Sequence, residues 1–405
     1  MLTKAKARLK LLLKTQEARA FVQDDSDSRL INSLIGLTNL PKQLPETLEN
    51  YDKIIGAIKR EKIQDENTKI RIDYYQFLKD QAKKSFGFYA KVAEERLDYY
   101  KYLSAKKLWE SEKEVCRVNS LHWFKYWAWT SDPRQSSFGW AIPFILYPFQ
   151  EEAVKWLEEL IFIKKSSGLI EKSRDMGISW LLISLLYKHW QFSNDNFQAL
   201  IGSMTIDDVD TVGNPSTLFE KIRIQALLQP KKLLPFQWNR TVPYLKLVNP
   251  ETTSAIIGES CNERFGRSGR YTVVWFDELS AVQADAEAVT SASQSSTCKL
   301  FTSTPRGMSN EFAKLRFSGT IPIKSFHWSQ NPSKDQRWYQ FQRLELRDES
   351  RIAQELDIDY QASVPNRIYT EFDERIHVIT HSELIRELPE FGDDDGRFII
   401  PKGHS

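Results

Sequence analysis

Between residues 147 and 330, short apolar runs alternate with stretches that have the periodicity of helices. This alternation is typical of a parallel sheet built from strand–helix–strand crossovers. The sequence predicts strands at Gly168–Lys172, Gln198–Gly202, Thr272–Phe276 and Thr297–Thr302, with a further strand near Ile321–His327. The predicted helix Ser179–Phe192 is apolar nearly all round, so we expect it to be buried against the sheet. The predicted fold class is α/β with a parallel central sheet.

The chain before this region has a different composition. Residues 1–115 are dense in Lys, Glu, Leu and Tyr and contain few glycines, which predicts a mainly helical N-terminal region. Its first stretch, residues 4–19, is basic and could dock a phosphate backbone or an acidic partner, although a solvated helix face is the commoner role. We expect the α/β domain to occupy residues 116–365 and an acidic connector to occupy residues 366–405.

An aromatic segment opens the predicted α/β domain. Residues 122–129 read His-Trp-Phe-Lys-Tyr-Trp-Ala-Trp. Such rings could stack on nucleobases. A hydrophobic brace against the following domain is favoured, because aromatic side chains dominate the burial of apolar surface in cores.

Charge, cysteine content and hydropathy exclude several classes of protein. Lys and Arg number 56 and Asp and Glu number 54, so the net charge of +2 does not by itself attract nucleic acid or membranes. The three cysteines are far apart and match neither a disulfide framework nor a zinc site. The apolar stretch at 180–187 is much shorter than the roughly 20 residues that a membrane span needs, so we predict no membrane association.

A glycine-containing turn lies where the first predicted strand meets the buried helix. Residues 172–180 read Lys-Ser-Arg-Asp-Met-Gly-Ile-Ser-Trp. This is the setting of a phosphate-binding loop, in which backbone N–H groups and a helix N-terminus converge on an anion. Compared with the pattern G-x-x-x-x-G-K-[ST], Gly177 and Ser179 are in place, but Ile178 replaces the lysine and Lys172 replaces the first glycine. Lys172 and Arg174 could supply the missing charge; alone, the segment fits a turn without a ligand equally well.

Two adjacent carboxylates, Asp277 and Glu278, follow the predicted strand Thr272–Phe276. Ligands of open α/β sheets bind at the carboxyl ends of the strands. Neighbouring residues at a strand end point in different directions, so Asp277 could hold Mg²⁺ while Glu278 polarises an attacking water. Because four apolar residues precede this pair, we favour a nucleotide-hydrolysis site over an ordinary strand end.

Two shorter motifs fit such a site. Gln150 follows Tyr147-Pro-Phe and has an amide that could pair with adenine, although the motif also fits a simple helix start after Pro148. Ser303 and Thr304 end the next predicted strand, where their hydroxyls could sense a γ-phosphate. As bare sequence, Ser-Thr-Pro is also an ordinary turn.

Three arginines, Arg264, Arg267 and Arg270, lie in a glycine-containing loop before the strand that carries the two carboxylates. Such a loop could carry an arginine to a phosphate in its own subunit or in a neighbour. Solvated loop arginines are an equally good interpretation.

Taken in chain order, these motifs resemble the ATPase motifs of the large terminase subunit of tailed double-stranded DNA bacteriophages. The resemblance covers residues 120–380, and its most specific element is a phosphate loop with the lysine at its start, matching Lys172. It implies an additional-strand, RecA-like P-loop ATPase. It also implies a motor that packages DNA in the cytoplasm of the infected host cell, with double-stranded DNA, the portal protein, the small terminase subunit and further copies in a homo-oligomeric ring as partners.

The resemblance also implies roles for individual residues, with ATP and Mg²⁺ as cofactors. Glu278, Lys172 and Arg267 would be catalytic, with Arg267 acting in trans on a neighbouring subunit. Ser179 and Asp277 would bind Mg²⁺. The nucleotide would be held by Gln150, Lys172, Ser173, Arg174, Asp175, Met176, Gly177, Ile178, Ser179, Trp180, Ser303 and Thr304.

Large terminases usually continue into a nuclease domain. Residues 366–373 resemble the connector into that domain, and no strand-borne Asp set follows, so we expect no nuclease activity. Two rival functions remain open at this point. A DEAD-like helicase shares the Gln, Asp-Glu and Ser-Thr motifs but needs a second RecA-like lobe, and a nucleotide-binding scaffold without hydrolysis is compatible with Ile178.

Overall fold

The computed structural model describes residues 27–132, 141–194, 196–236, 238, 241–267 and 269–363. The basic stretch at residues 4–19 and the predicted connector at 366–405 lie outside the described residues. No helix in the described part of the chain has both the length and the apolar character that crossing a membrane requires.

Helices make up the N-terminal region. They are α1 (Ser28–Thr38), α2 (Leu40–Lys59), α3 (Glu66–Lys106), α4 (Trp109–Val118) and α5 (Ser120–Trp127). The long helix α3 begins after Asp65, whose side chain accepts a hydrogen bond from the Thr68 N–H and so caps the helix. The predicted helical region is confirmed where the structure describes it, and the domain boundary at residue 115 stays a prediction.

The aromatic segment is a buried brace. Strand β1 (Trp129–Thr130) follows α5, and the side chains of this segment that are almost fully buried are Trp123, Phe124, Trp127 and Trp129. Arg96 of α3 donates hydrogen bonds to the carbonyl oxygens of Phe124 (2.9 Å), Lys125 (2.9 Å) and Ala128 (2.8 Å). These carbonyls end α5 and lack helical partners of their own. The segment therefore joins α3 to the α/β part, as the favoured interpretation of the sequence predicted.

The central sheet has seven strands in the described part of the chain. Their order is β5–β6–β4–β7–β8–β3–β9, and a separate pair joins β1 to β2 (Ile142–Pro143). The strands are β3 (Gly168–Lys172), β4 (Gln198–Ser203), β5 (Lys246–Val248), β6 (Ala255–Ser260), β7 (Val273–Asp277), β8 (Lys299–Ser303) and β9 (Ile323–Phe326). Only β5 among these is antiparallel to its neighbour.

Strand β8 lies between β3, which precedes the phosphate loop, and β7, which carries the two carboxylates. This inserted strand is the mark of an additional-strand P-loop fold, so the predicted α/β class and strand arrangement are confirmed. Asp277 lies level with Thr302, and Glu171 lies level with Ser303. Because the strands are parallel, the carboxyl ends of β3, β7 and β8 meet at one edge of the sheet.

Further α-helices lie before, between and after the strands of the central sheet. They are α6 (Pro148–Glu158), α7 (Ile178–Phe192), α8 (Ile206–Val209), α9 (Leu218–Leu227), α10 (Asp285–Ser291), α11 (Glu311–Phe317), α12 (Gln336–Leu346) and α13 (Glu349–Ile352), with π-helical segments at Glu159–Lys164 and Ala353–Asp357. Nearly every residue of α7 is buried, as its apolar sequence predicted.

His189 of α7 makes the stability of the fold sensitive to acid. Its Nε2 lies 3.0 Å from Glu158 Oε1, yet burial lowers the pKa of His189 to about 4. The unfolded chain takes up a proton near the ordinary pKa of about 6.5. Stability contributed by the neutral histidine is therefore complete above about pH 6.5 and is lost as the pH falls towards about 4, by up to roughly 3 kcal/mol.

Denaturant unfolding at several pH values tests this expectation. His189→Gln keeps an amide donor for Glu158 but cannot titrate, so the variant should lose this part of the pH dependence between about pH 6.5 and 4. Parallel stability curves for the wild type and the variant would contradict the neutral buried histidine.

Candidate functional site

A cavity of about 1090 Å³ opens at the carboxyl ends of β3 and β7. Ligand pockets commonly measure roughly 300–1,000 Å³, so this cavity has room for a nucleotide. The predicted site residues that line it are Gln150, Lys172, Arg174, Asp175, Met176, Gly177, Ile178, Ser179, Trp180, Asp277, Glu278 and Thr304. Ser173, Ser303 and Arg267 are not among the lining residues.

The loop between β3 and α7 turns sharply. Asp175 and Gly177 adopt left-handed backbone conformations, with φ of 59° and 74°. A Cβ atom on Gly177 would lie 2.9 Å from Gln150 Nε2, so both backbone and space require glycine. Ile178, at the usual lysine position, is buried in the core and supplies no charge. The free N–H groups of the first turn of α7 therefore follow a tightly packed bend, and the two residues at this bend, Gly177 and Ile178, carry no charge.

Gly177→Ala is expected to lower stability by about 1–2 kcal/mol through backbone strain and to weaken nucleotide binding by pushing Gln150 away. Gly213→Ala is the matched control, because Gly213 also has positive φ (83°) but faces open space. Thermal unfolding and titration with a fluorescent nucleotide separate the two effects. Nucleotide binding by Gly177→Ala at wild-type strength would show that the bend does not shape the site.

Gln150, at the start of α6, ties this helix to the loop. Its Oε1 accepts a hydrogen bond from the Tyr147 N–H, and its Nε2 donates to the Met176 carbonyl oxygen, both at 3.0 Å. Both ends of the amide thus bond within the chain. One N–H of the amide and one acceptor site of its oxygen are left beyond these bonds, so a contact with adenine is compatible with them, and the adenine role of Gln150 stays a prediction.

Lys172 and Glu278 form an ion pair inside the cavity. The Lys172 Nζ lies 2.7 Å from Glu278 Oε1. Burial lowers the pKa of Lys172, but the charges of Glu278 and Asp277 outweigh burial and raise this pKa above its ordinary value. Burial conversely raises the pKa of Glu278, and the Lys172 charge more than offsets it, so the Glu278 pKa lies below its usual range. Glu278 is therefore ionised at neutral pH, as a base must be.

Asp277 and Ser179 form the second pair of the site. The Ser179 Oγ lies 3.3 Å from both carboxylate oxygens of Asp277, and the Thr302 Oγ1 donates to Oδ1 at 2.9 Å. Burial, followed by the charge of Glu278, raises the pKa of Asp277 to about 6. A carboxylate and a hydroxyl are the hard oxygen donors that Mg²⁺ takes, so these residues fit the predicted metal role, and a cation here would offset the charge of the adjacent acids.

Ser303 lies behind Glu278. Its Oγ donates to Glu278 Oε2 at 3.2 Å and lies 2.6 Å from the Ser280 Oγ. The Ser280 Oγ in turn donates to the Thr304 carbonyl oxygen at 2.7 Å. These contacts make Ser303 a positioning residue for Glu278, and direct nucleotide contacts by Ser303 and Thr304 stay predictions.

Residues 353–363 lie along the phosphate loop, which the sequence did not indicate. The Ser173 Oγ donates to the Leu356 carbonyl oxygen, and the Arg174 N–H donates to the Glu355 carbonyl oxygen at 2.6 Å. The Arg174 guanidinium also lies 3.7 Å from the Glu355 carboxylate. Sequence reasoning missed these contacts because the partners are about half the chain apart and carry no motif.

A second tie joins the same segment to neighbouring elements. The Tyr360 hydroxyl donates to Glu171 Oε2 at 3.0 Å, and Arg316 Nε lies 2.6 Å from the same oxygen. The Ser363 Oγ accepts a hydrogen bond from the Gly307 N–H at 2.8 Å. Segment 353–363 is thereby bonded to both β3 and the loop after β8.

Arg267 lies outside the cavity of its own chain. Its side chain is exposed, and Nε donates to the Ser291 Oγ at the end of α10, at 3.1 Å. The predicted action of Arg267 on a neighbouring subunit stays a prediction.

Lys221 of α9 is a lining residue that no motif indicated. It is almost fully buried, and burial lowers the pKa of Lys221 to about 8 although the Asp277 charge raises it. Because α9 also carries Glu220, Arg223 and Gln225, its lysine gave no distinctive signal in the sequence.

Comparison with known proteins gives no family model and no curated protein that matches the chain. Solved structures do match. The large terminase of the HK97 bacteriophage is 14% identical over 62% of this chain and 49% of its own, with a TM-score of 0.37. A large terminase from a thermophilic bacteriophage, in complex with ADP, is 12% identical over 58% of each chain, with a TM-score of 0.39.

A third match is the large terminase ATPase domain of Thermus phage P74-26, which is 18% identical over 50% of this chain and 92% of its own, with a TM-score of 0.34. The chain resembles phage large terminases. They are the family to which the sequence motifs pointed. The chain spans about half the length of the HK97 terminase, and at these identities the likeness concerns the fold alone. A terminase activity must therefore be argued from the site itself.

Proposed function

We propose that this chain is the ATP-hydrolysing motor subunit of a phage DNA-packaging terminase. One observation carries the proposal: a lysine, a hydroxyl and two adjacent carboxylates from different elements meet in one cavity at the sheet edge. The residues are Lys172, Ser179, Asp277 and Glu278. This set combines the cation, the metal ligands and the base that phosphoryl transfer to water requires.

Each residue of this set has a separate role in the hydrolysis of ATP. The triphosphate lies on loop 172–179, where backbone N–H groups and Lys172 neutralise its charge. Ser179 and Asp277 would hold Mg²⁺, which would neutralise charge on the phosphate oxygens. Glu278 accepts a proton from the water that attacks the γ-phosphorus, and the bond to the bridging oxygen of ADP breaks. Moving Lys172 from Glu278 to a phosphate oxygen frees the carboxylate for this water.

In the proposed motor, ATP hydrolysis drives the movement of double-stranded DNA in the cytoplasm of the infected host. The subunits form a homo-oligomeric ring and work with the portal protein and the small terminase subunit. The exposed position of Arg267, outside its own cavity, suits action on a neighbouring subunit. The motif order and the resemblance to large terminases support this extension.

ATP turnover with Mg²⁺, with and without double-stranded DNA and at protein concentrations that favour assembly, tests the proposal. We expect turnover that DNA stimulates, and Asp277→Asn should raise the Mg²⁺ concentration needed for half-maximal turnover by roughly tenfold or more, since a charged ligand is lost. Nucleotide binding without turnover in any assembly state would instead indicate a scaffold. Strand separation by the protein would indicate a helicase.

A further inference from the structure

Lys221 is a cation buried in the wall of the nucleotide cavity. Only 6% of its surface is exposed. Lys172 enters the cavity from β3, whereas Lys221 enters it from α9. Two lysines from separate elements therefore line the cavity that holds the adjacent carboxylates.

The contacts of Lys221 leave part of its ammonium group unused. Nζ donates to the carbonyl oxygens of Ser216 and Thr217, the latter at 3.3 Å, and lies 5.7 Å from the centre of the Trp180 ring. Among the described residues, no carboxylate oxygen lies within 4.0 Å of this Nζ. An ammonium group has three N–H donors, so the two carbonyls leave one donor.

A second buried lysine shows how unusual this is. Lys188 is 1% exposed, and its Nζ has the Glu158 carboxylate at 3.7 Å and the Arg117 carbonyl oxygen at 2.9 Å. Lys188 does not line the cavity. Buried charges are costly unless they are paired. Lys188, away from the cavity, and Lys172, inside it, each have a carboxylate oxygen within 4.0 Å, whereas Lys221 has none among the described residues.

We propose that Lys221 binds the γ-phosphate of the nucleotide through its remaining N–H. This inference rests on the proposed function. Mg²⁺ held by Asp277 would neutralise charge on the phosphate oxygens of the nucleotide, and Lys221 lines the same cavity as Asp277. The usual loop lysine is replaced by the buried Ile178, so the loop's own cations in the cavity are Arg174 and Lys172, and Lys172 is paired with Glu278. Lys221 supplies a further positive charge from outside the motif.

The test titrates a non-hydrolysable ATP analogue and ADP, each with Mg²⁺, into the wild type and two variants. Lys221→Gln keeps two N–H donors for the Ser216 and Thr217 carbonyls but loses the charge. We expect it to bind the analogue roughly 10- to 100-fold more weakly and ADP less than about threefold more weakly. Lys188→Gln, the control for removing a buried lysine, should keep the wild-type ratio of the two affinities.

The outcomes separate the two proposals. If the wild type binds neither nucleotide, the proposed function fails. If the wild type binds both and Lys221→Gln keeps the wild-type preference for the analogue, only the role of Lys221 is wrong.

A measurement on the wild type avoids any folding defect of the variant. Acetic anhydride modifies lysine amines, and mass spectrometry gives the rate at each site. The ATP analogue should slow modification of Lys221 by tenfold or more, and ADP should slow it far less. Equal rates with and without the analogue would overturn the assignment.

Discussion

Glu278→Gln is expected to reduce ATP turnover by roughly 10²- to 10⁴-fold, the range that a general base contributes. Glutamine keeps the size of the side chain: its Oε1 can still accept a hydrogen bond from Lys172, and its NH2 group can donate to the Ser303 Oγ instead of accepting from it. It cannot take a proton from water. The affinity for a non-hydrolysable ATP analogue should therefore change by less than about threefold, so the loss falls on kcat.

Glu355→Gln is the matched control for this variant. Glu355 lines the same cavity and has a cation, Arg174, at 3.7 Å, but among the described residues its carboxylate forms no ion pair with Lys172 and no hydrogen bond with Ser179. Glu355→Gln should lower the rate of ATP turnover only a few-fold. Steady-state kinetics and analogue titration on the same preparations measure both variants, and turnover by Glu278→Gln within tenfold of the wild type would remove Glu278 from the role of base.

Lys172→Met is expected to weaken binding of the ATP analogue by roughly 100-fold or more, because a charge-assisted contact in a buried site is lost. It should also lower the free energy of unfolding by about 1–3 kcal/mol, since Asp277 and Glu278 are left facing each other without their nearest cation. One substitution thus has two effects with different causes.

The double variant Lys172→Met with Glu278→Gln separates these effects. Removing the Glu278 charge relieves the repulsion, so the double variant should recover stability relative to Lys172→Met but should not recover nucleotide binding. Denaturant unfolding and analogue titration give the two quantities. Analogue binding by Lys172→Met within threefold of the wild type would contradict the phosphate role of Lys172.

Local patterns predicted the sheet and the sheet edge at which several predicted site residues lie. The strand Gly168–Lys172 was predicted with its observed bounds, and the four other predicted strands lie within a few residues of their observed positions. These signals are local because an apolar run and the polar residues after it follow one another in the chain. Asp277 and Glu278 could be placed at the sheet edge for the same reason.

Contacts between distant parts of the chain could not be predicted in this way. Nothing in the sequence around Gln150 indicates that its amide folds onto the Met176 carbonyl, or that the Ser173 hydroxyl is bonded to Leu356. The role of Lys221 could not be predicted from the sequence, because it depends on which carboxylates lie nearby after folding. A motif shows where reactive residues lie along the chain, but it does not show which contacts each side chain makes after folding.

The bonds between the phosphate loop and segment 353–363 have a mechanical consequence. A nucleotide that draws the Arg174 guanidinium towards its phosphates pulls it from Glu355, and a shift of the Ser173–Arg174 backbone strains the hydrogen bonds to the carbonyls of residues 355 and 356. Because the Ser363 Oγ is bonded separately to the Gly307 N–H, residues 357–362 connect two hydrogen-bonded points. Binding and release of a nucleotide at the phosphate loop would therefore displace the backbone near Ser363, through a connection only a few residues long.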